Sequence, residues 1–471
     1  MSDERSFERL LADRMTTERG SAQLPDSFYD DFRQRASHAR QRPRWLALIK
    51  EPPMRTSSHL AVGSPTARVA AIVIATLLLA LTLAGAGIAG SRLLAADGAL
   101  VVDPADPSAY QTISDAVADA TDGDTVLVKP GTYSESVAID SDITVRGDGE
   151  RGSIVIAFAS PADGPSFLEG GPDGEPFGYG ILLEASDAHV ANLTLQGPPD
   201  DGTDPAVSGV YIVGGAPVIE DIDVVLFGDR WNYSGGWYYR RSAVRITGGS
   251  IATISGSNWD GYVRIFGEPN APTFEGNTIT GQDISIADGG HEPVIRGNTL
   301  LDSAALLWNE GGSGGIVEDN DISGWIGVDD GGGAANDPVI RSNRIRGGGA
   351  GDAAGQFFGA AIGIAGAATP LVEDNEIVDS ATGILVTGAG AEPDIQSNTI
   401  NGMTGFGIWI TSGASPSIES NTIEDNRTGV AVGRDPSTAT LSGNTFCGNE
   451  QDLDVPDGSD LTLDGNTVCQ T

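Results

Sequence analysis

The stretch "PSIESNTIEDN", residues 416–426, sets Asn421 between Ile418, three residues before it, and Ile423, two after. The same frame recurs at Asn277, Asn298, Asn320, Asn343, Asn375, Asn398, Asn421, Asn444 and Asn466, at spacings of 21, 22, 23, 32, 23, 23, 23 and 22 residues. An apolar residue stands three before every one, from Phe274 to Leu463, and another two after, from Ile279 to Val468. Proline stands five before six of them, at Pro272, Pro293, Pro338, Pro370, Pro393 and Pro416. A residue repeated nine times at a near-fixed period is a structural unit, not one reactive group. The period is too short for paired-helix repeats and lacks the "LxxLxL" signature of leucine-rich repeats. Segments such as "GILVTG" and "FGIWIT", divided by Gly, Asn, Asp and Pro, read as short strands with tight turns. Stacked coil on coil, such strands make a parallel β-helix. The asparagine amide can then donate to the side-chain carbonyl of the next rung, about 4.8 Å away.

The frame extends upstream with the amide replaced. In "APVIEDIDV", "ATISGSNW" and "HVANLTL", the rung position falls on Ile222, Ser257 and Leu193. The 32-residue interval reads as one coil with an outward loop, "GGGAGDAAGQFFGA". Residues 109–149 supply a start: an amphipathic helix with apolar Ile113, Ala116, Val117 and Ala120, then strands broken by Gly123 and "KPGTY". A helix covering the open end of a solenoid protects its unpaired strand edges. With this opening, "TISDAVADATDGDTVLVKPGTY", and the nine rungs, the chain resembles the pectin-lyase-like right-handed parallel β-helix superfamily, bacterial right-handed β-helix repeat proteins included, over about residues 100–471. The opening is similar to that of pectinesterase-like members. The resemblance implies an all-β solenoid with an N-terminal capping helix. It leaves activity open, because this scaffold hosts lyases, hydrolases, esterases, epimerases and non-catalytic binders. No polygalacturonase-like "NTD" or "GHG", pectate-lyase-like "RxPxxR" or epimerase-like "DPH" occurs, and the pectinesterase likeness stops before its catalytic aspartates and arginine.

Net charge is −38, and its distribution divides the chain. Residues 1–68 carry 12 Lys/Arg against 9 Asp/Glu, residues 97–471 carry 14 against 56. So acidic a surface repels phosphate backbones, which excludes nucleic acid as a partner. Between the two regions, "VAAIVIATLLLALTLAGAGIAGS", residues 69–91, holds no charge and is long enough to span a bilayer core of about 30 Å. Basic residues precede it, so the positive-inside rule predicts a cytoplasmic N-terminus and an extracytoplasmic C-terminal part. A 68-residue leader is too long for a cleaved signal peptide. The expected order is a cytoplasmic tail over 1–68, partly helical or disordered; a transmembrane helix over 69–91; a juxtamembrane linker over 92–108; and the extracytoplasmic β-helix over 109–471.

Three groups carry possible function. Cys447 and Cys469 each lie three after a rung asparagine, so adjacent coils place them within disulfide reach, and the compartment permits oxidation. "ADGG" at 287–290, "NEGG" at 309–312 and "DDGG" at 329–332 share one phase in three successive coils, stacking Asp288, Glu310 and Asp330 with Asp329 beside them. Carboxylates about 4.8 Å apart raise one another's pKa, as a catalytic acid–base pair needs, or gather calcium. As turn residues they equally splay into water. His291, in "GGHEP", reads as a turn histidine. The third group is "DRWNYSGGWYYRR", residues 229–241, where Trp231, Tyr233, Trp237, Tyr238 and Tyr239 gather five of the chain's 16 Trp and Tyr beside Arg230, Arg240 and Arg241. Such rings stack on sugars and such arginines pair with acidic glycans; folding back onto the wall is the alternative. The expectation is a membrane-anchored cell-surface protein binding polysaccharide or another surface partner. The alternatives are a polysaccharide lyase or glycoside hydrolase and a non-catalytic adhesin or spacer.

Overall fold

The computed structural model describes residues 99–158, 177–198, 206–227, 241–280, 283–309, 311–347, 359–433, 437–456 and 460–469. Its strands stack into three walls, and all pairings between named strands are parallel among the described residues. The first wall has 15 strands, from Leu100–Val102 through Thr125–Val128 to Asp460–Asp464. The second begins at Gly131–Ser134 and ends at Thr467–Val468; the third runs from Val137–Ile139 to Gln451–Asp454. These two merge into one 25-stranded sheet because Thr299–Trp308 and Asp321–Asp329 continue through the corner between them. The expected linker over 92–108 gives way at Leu100, since Leu100–Val102 already pairs with Thr125–Val128 as the first rung. Residues 1–98, with the expected tail and the expected transmembrane helix over 69–91, lie outside the described residues. Among the described residues no helix is long and apolar enough to cross a membrane.

The asparagine frame is the corner between the first and second walls. Asn277 through Asn444 are buried, and each Nδ2 donates to the Oδ1 of the next rung at 2.8–3.0 Å, ending on Asn466. The same Oδ1 accepts the backbone N–H of the rung before it, as in Asn398 N to Asn421 Oδ1 at 2.9 Å. The second Nδ2 hydrogen reaches a carbonyl of the preceding coil, as in Asn421 to Ile395 O at 2.9 Å. Corner backbone that would otherwise be buried without partners is thereby satisfied. The residue before each rung bends the chain in the left-handed region, φ 54–65°, and is always Gly, Asp, Asn or Ser, the types that tolerate it. The six prolines precede first-wall strands, where their carbonyls accept from the next coil, as in Val294 N to Pro272 O at 2.9 Å.

The ladder continues upstream through other chemistry. Ser257 N donates to Asn277 Oδ1 at 3.1 Å, Ile222 N to Ser257 Oγ at 3.1 Å, and Leu193 is buried in line. Inside, Ile254, Phe274, Ile295, Val317, Ile340, Val372, Ile395, Ile418 and Leu441 form one buried column. Each side chain so buried contributes about 1.5–3 kcal/mol. Leu463 and Val468, expected in that core, are 53% and 60% exposed, because among the described residues no further coil stacks on their far side. At the other end a short helix, α1 (Ile113–Asp119), buries Ile113, Ala116 and Val117 against the first coil. Thr112 caps α1, and the Glu135 carboxylate accepts from Ile113 N and Ser114 N at 2.8 and 2.9 Å.

Candidate functional site

Along the third wall the sequence repeats apolar–X–apolar, and X faces outward. Register links ten successive X positions in one column: Tyr211, Arg245, Arg264, Ser285, Leu307, Gly327, Gly363, Leu385, Trp409 and Ala431. The flanking residues, such as Val244 and Ile246 around Arg245, are buried inside the solenoid and fix the direction of X. The first four positions form a polar centre. Arg245 and Arg264 stand opposite one another in neighbouring coils. Arg245 is buried, with Nε donating to Ser242 Oγ at 2.9 Å. Arg264 Nε is buried without a hydrogen-bond partner, and its guanidinium lies 4.8 Å from the Phe266 ring centroid.

Tyr262, Asp283 and Trp325 are also buried on this outer face, two positions before Arg264, Ser285 and Gly327. Asp283 Oδ1 accepts from Ala305 N at 3.2 Å, and Asn309 Nδ2 donates to Ser285 Oγ at 3.0 Å. Burial, then the like charge of Arg264, pulls the Arg245 guanidinium down to about 10. Burial pushes the Tyr211 and Tyr262 phenols up, with both arginines opposing it in each case. At neutral pH the Tyr211 and Tyr262 phenols are therefore protonated, and the Asp283 carboxyl group shares their face with the two arginines. Planar guanidinium groups of this kind receive carboxylate or sulfate oxygens in paired hydrogen bonds. Lys129, Arg151, Arg296, Arg341, Arg344 and Arg346 are ion-paired to carboxylates.

The expected aromatic group, Trp231, Tyr233, Trp237, Tyr238, Tyr239 and Arg240, lies outside the described residues, as does Glu310. Its neighbours are described: the chain leaves the second wall at Asp223–Phe227 and re-enters the third at Arg241–Thr247, the strand that carries Arg245. Residues 159–176, 199–205 and 348–358, which fall in sequence between a second-wall and a third-wall strand, also lie outside the described residues. Ile286, Trp308 and Val328 are in register, so Asp288 and Asp330 keep one phase in their coils. Both bind turn backbone: Asp288, at φ 73°, accepts from Gly267 N at 3.0 Å, and buried Asp330 accepts from Gly332 N at 3.0 Å. Asp329 accepts from Gly331 N at 3.2 Å. Among the described residues no group of three His, Cys, Asp or Glu is placed to hold a metal ion, calcium included. Cys447 and Cys469 are bonded to each other, with Cα atoms 4.9 Å apart.

Two further ladders escaped the sequence reading. At the corner between the third and first walls, Ser250, Asn270, His291, Ser313 and Asn336 are buried in line. His291 Nδ1 accepts from Asn270 N at 3.0 Å, its Nε2 lies 2.5 Å from Ala287 O, and its backbone N donates to Ser313 Oγ at 3.1 Å. That pattern requires the neutral Nε2–H form, and burial holds the imidazole pKa below its usual value. At the remaining corner, Asn426 Nδ2 donates to Asn449 Oδ1 at 3.0 Å.

The sequence model of the family described as "Right handed beta helix region" matches residues 242–400 and 356–468. No curated protein matches the chain. Among solved structures it is similar to the A-module of a mannuronan C-5 epimerase from Azotobacter vinelandii, at 16% identity and a TM-score of 0.46, over 76% of this chain and 93% of that one. It is also similar to a periplasmic alginate epimerase variant, at 13% identity and 0.43, over 72% and 86%. Tailspike protein 3 of bacteriophage CBA120 gives 10% identity and 0.48, over 78% and 60%.

Proposed function

This chain is a right-handed parallel β-helix protein, and we propose that it binds an acidic polysaccharide along the outward face of its third wall. The observation that carries the proposal is Arg264, half-buried on the outward face with buried Arg245 opposite it in the neighbouring coil, within a region of 14 Lys/Arg against 56 Asp/Glu. Five of those 14 cations, Arg230, Arg240, Arg241, Arg245 and Arg264, fall within one span of 35 residues, 230–264. In an acidic protein a local cationic centre flanked by tyrosines selects anionic ligands, and the low-dielectric wall strengthens the pairing. We propose that Trp231, Tyr233, Trp237, Tyr238 and Tyr239, which precede the Arg241–Thr247 strand in sequence, also take part in binding. The proposed location is the outer side of a cell membrane, with residues 69–91 as anchor.

Binding of the purified protein to a set of acidic and neutral glycans, with calcium present and absent, tests this reading. Retention of acidic glycans that is lost in Arg264→Gln supports it; equal retention of neutral glycans, or none by either protein, overturns it. The same samples test the lyase or hydrolase alternative on Asp288, Glu310 and Asp330, through new reducing ends or unsaturated uronates abolished by Asp330→Ala. A protein that neither binds nor cleaves is the adhesin or spacer.

A further inference from the structure

We infer that His291 positions Arg264, and that protonation of its imidazole releases the turn that holds Phe266 against the Arg264 guanidinium. The inference rests on the proposed function and adds a control on the same site. His291 is buried where the turns of successive coils stack at the corner between the third and first walls. Its Nδ1 accepts from Asn270 N at 3.0 Å, and its Nε2 donates to Ala287 O at 2.5 Å. Ala287 follows Ile284–Ile286, the strand paired with Val263–Ile265, and its own N–H donates to Ile265 O at 2.9 Å. Asn270 is the other end of the link. Its Oδ1 accepts from Ser250 N at 2.8 Å, and its Nδ2 donates to Phe266 O at 3.1 Å and to Glu268 O. The Phe266 ring centroid lies 4.8 Å from the Arg264 guanidinium. One imidazole therefore fastens the turn 266–270 and, through it, the ring on which the guanidinium rests.

The ladder does not need a histidine for this bond. In the same column an asparagine receives the same kind of backbone N–H twice, Ser250 N on Asn270 Oδ1 and Ser313 N on Asn336 Oδ1, each at 2.8 Å. What the imidazole adds is a proton. In the cation both ring nitrogens carry hydrogen, so Nδ1 turns from acceptor to donor and faces the Asn270 N–H. That bond is lost, and the turn moves to separate the two donors. The charged side chains of the stacked turns are carboxylates: Glu268 in the preceding coil, Asp288 and Glu292 beside His291, all three exposed, and Asp329 and Asp330 two coils on. Glu310, in the next coil, lies outside the described residues, and the adjacent strand Val263–Ile265 contributes Arg264. Burial holds the neutral imidazole, against the Ala287 carbonyl and the Asp288 carboxylate, which favour the cation. A released turn restores the ordinary value of 6.5, so each pH unit below it favours release by up to about tenfold.

The test joins hydrogen exchange to binding, at about pH 7.5 and 5.5, on the full chain and on His291→Asn, which keeps an acceptor in the rung and loses the titrating proton. After correction for the intrinsic rate, opening at the Asn270 amide and across residues 266–270 should rise by about tenfold in the parent and by less than about twofold in the variant. The corner around Asn398 should change in neither. Affinity for a uronic-acid trisaccharide, whose carboxylates stay ionised over this range, should be equal in the two proteins at the higher pH. At the lower pH the parent should lose about three- to tenfold more than the variant. Equal exchange in parent and variant overturns the switch. A switch in exchange without the extra loss of affinity, or an affinity that rises in acid, overturns its coupling to Arg264. Binding by neither protein at either pH overturns the proposed function instead, and the exchange data still decide the turn. Should His291→Asn not fold, His291→Gln takes its place with the same expected split.

Discussion

Replacing Asn398 by alanine strikes the middle of the asparagine ladder, and its consequence follows from the bonds it holds. Asn398 Oδ1 accepts from Asn375 N at 3.0 Å and from Asn375 Nδ2 at 2.9 Å, while its own Nδ2 donates to Val372 O at 2.9 Å and Asn421 Oδ1 at 3.0 Å. Alanine leaves two buried groups without partners, the Asn375 N–H and one hydrogen of its amide, and removes one of the bonds to the Val372 carbonyl, which stays in the ladder with Asp394–Gln396. Asn421 Oδ1 keeps the Asn398 N–H, which is backbone. At about 1–3 kcal/mol for each orphaned group, less what relaxation and entering water recover, the loss is about 2–5 kcal/mol. Solenoid coils depend on their neighbours, so the effect is local at first. Native-state hydrogen exchange should show faster opening across residues 371–424, with equilibrium denaturation reporting the total. Asn466→Ala is the control, because that rung is only half-buried and ends the chain of amides. It should cost about 1–2 kcal/mol. A loss under about 1 kcal/mol for Asn398→Ala, or equal losses at the two positions, refutes the ladder as the source of corner stability.

His291 has a folded pKa below its ordinary value of 6.5, from burial, so the unfolded chain takes up its proton first. Its contribution is complete above that value and declines as pH falls below it. The drop in stability between pH 7.5 and 5, about those values, should therefore be smaller in His291→Asn than in the parent. Reducing the Cys447–Cys469 bond frees a 22-residue loop and should remove about 3 kcal/mol from the last coils alone, seen as faster exchange over residues 460–468 and no change near Asn320. Gly366 sits at φ 69°, and a Cβ there would run into the Asp330 carboxylate. Gly366→Ala should lower stability by about 1–3 kcal/mol, against no change for an alanine at a neighbouring exposed position.

The amide frame made the first corner legible because each rung repeats the same three residues, Ile418, Asn421 and Ile423 in the quoted coil. The same period located Ile222, Ser257 and Leu193 as rungs without amides. The His291 ladder hid because its rungs change type, Ser, Asn, His, Ser, Asn, so no letter recurs even though one geometry does. Arg245 and Arg264 hid for a different reason. They occupy X in "VRI", and only the register of "VYI", "VRI", "VRI" and "ISI" across coils stacks them. A strand's alternation tells which side a residue faces, while its neighbours come from pairing that a single segment does not contain. Asp288 and Asp330 showed the reverse limit. Their shared phase was readable, but that each carboxylate binds turn backbone depended on φ and on neighbouring N–H groups.

Carboxylate recognition by the third wall is tested most sharply by a double-mutant cycle between protein and ligand. One acidic oligosaccharide and its methyl ester are titrated against the parent and Arg264→Gln. If the guanidinium reads a carboxylate, esterification and the substitution remove the same interaction, giving a coupling energy of about 1–3 kcal/mol. Losses that simply add, with coupling within about 0.5 kcal/mol of zero, would contradict carboxylate recognition at this wall.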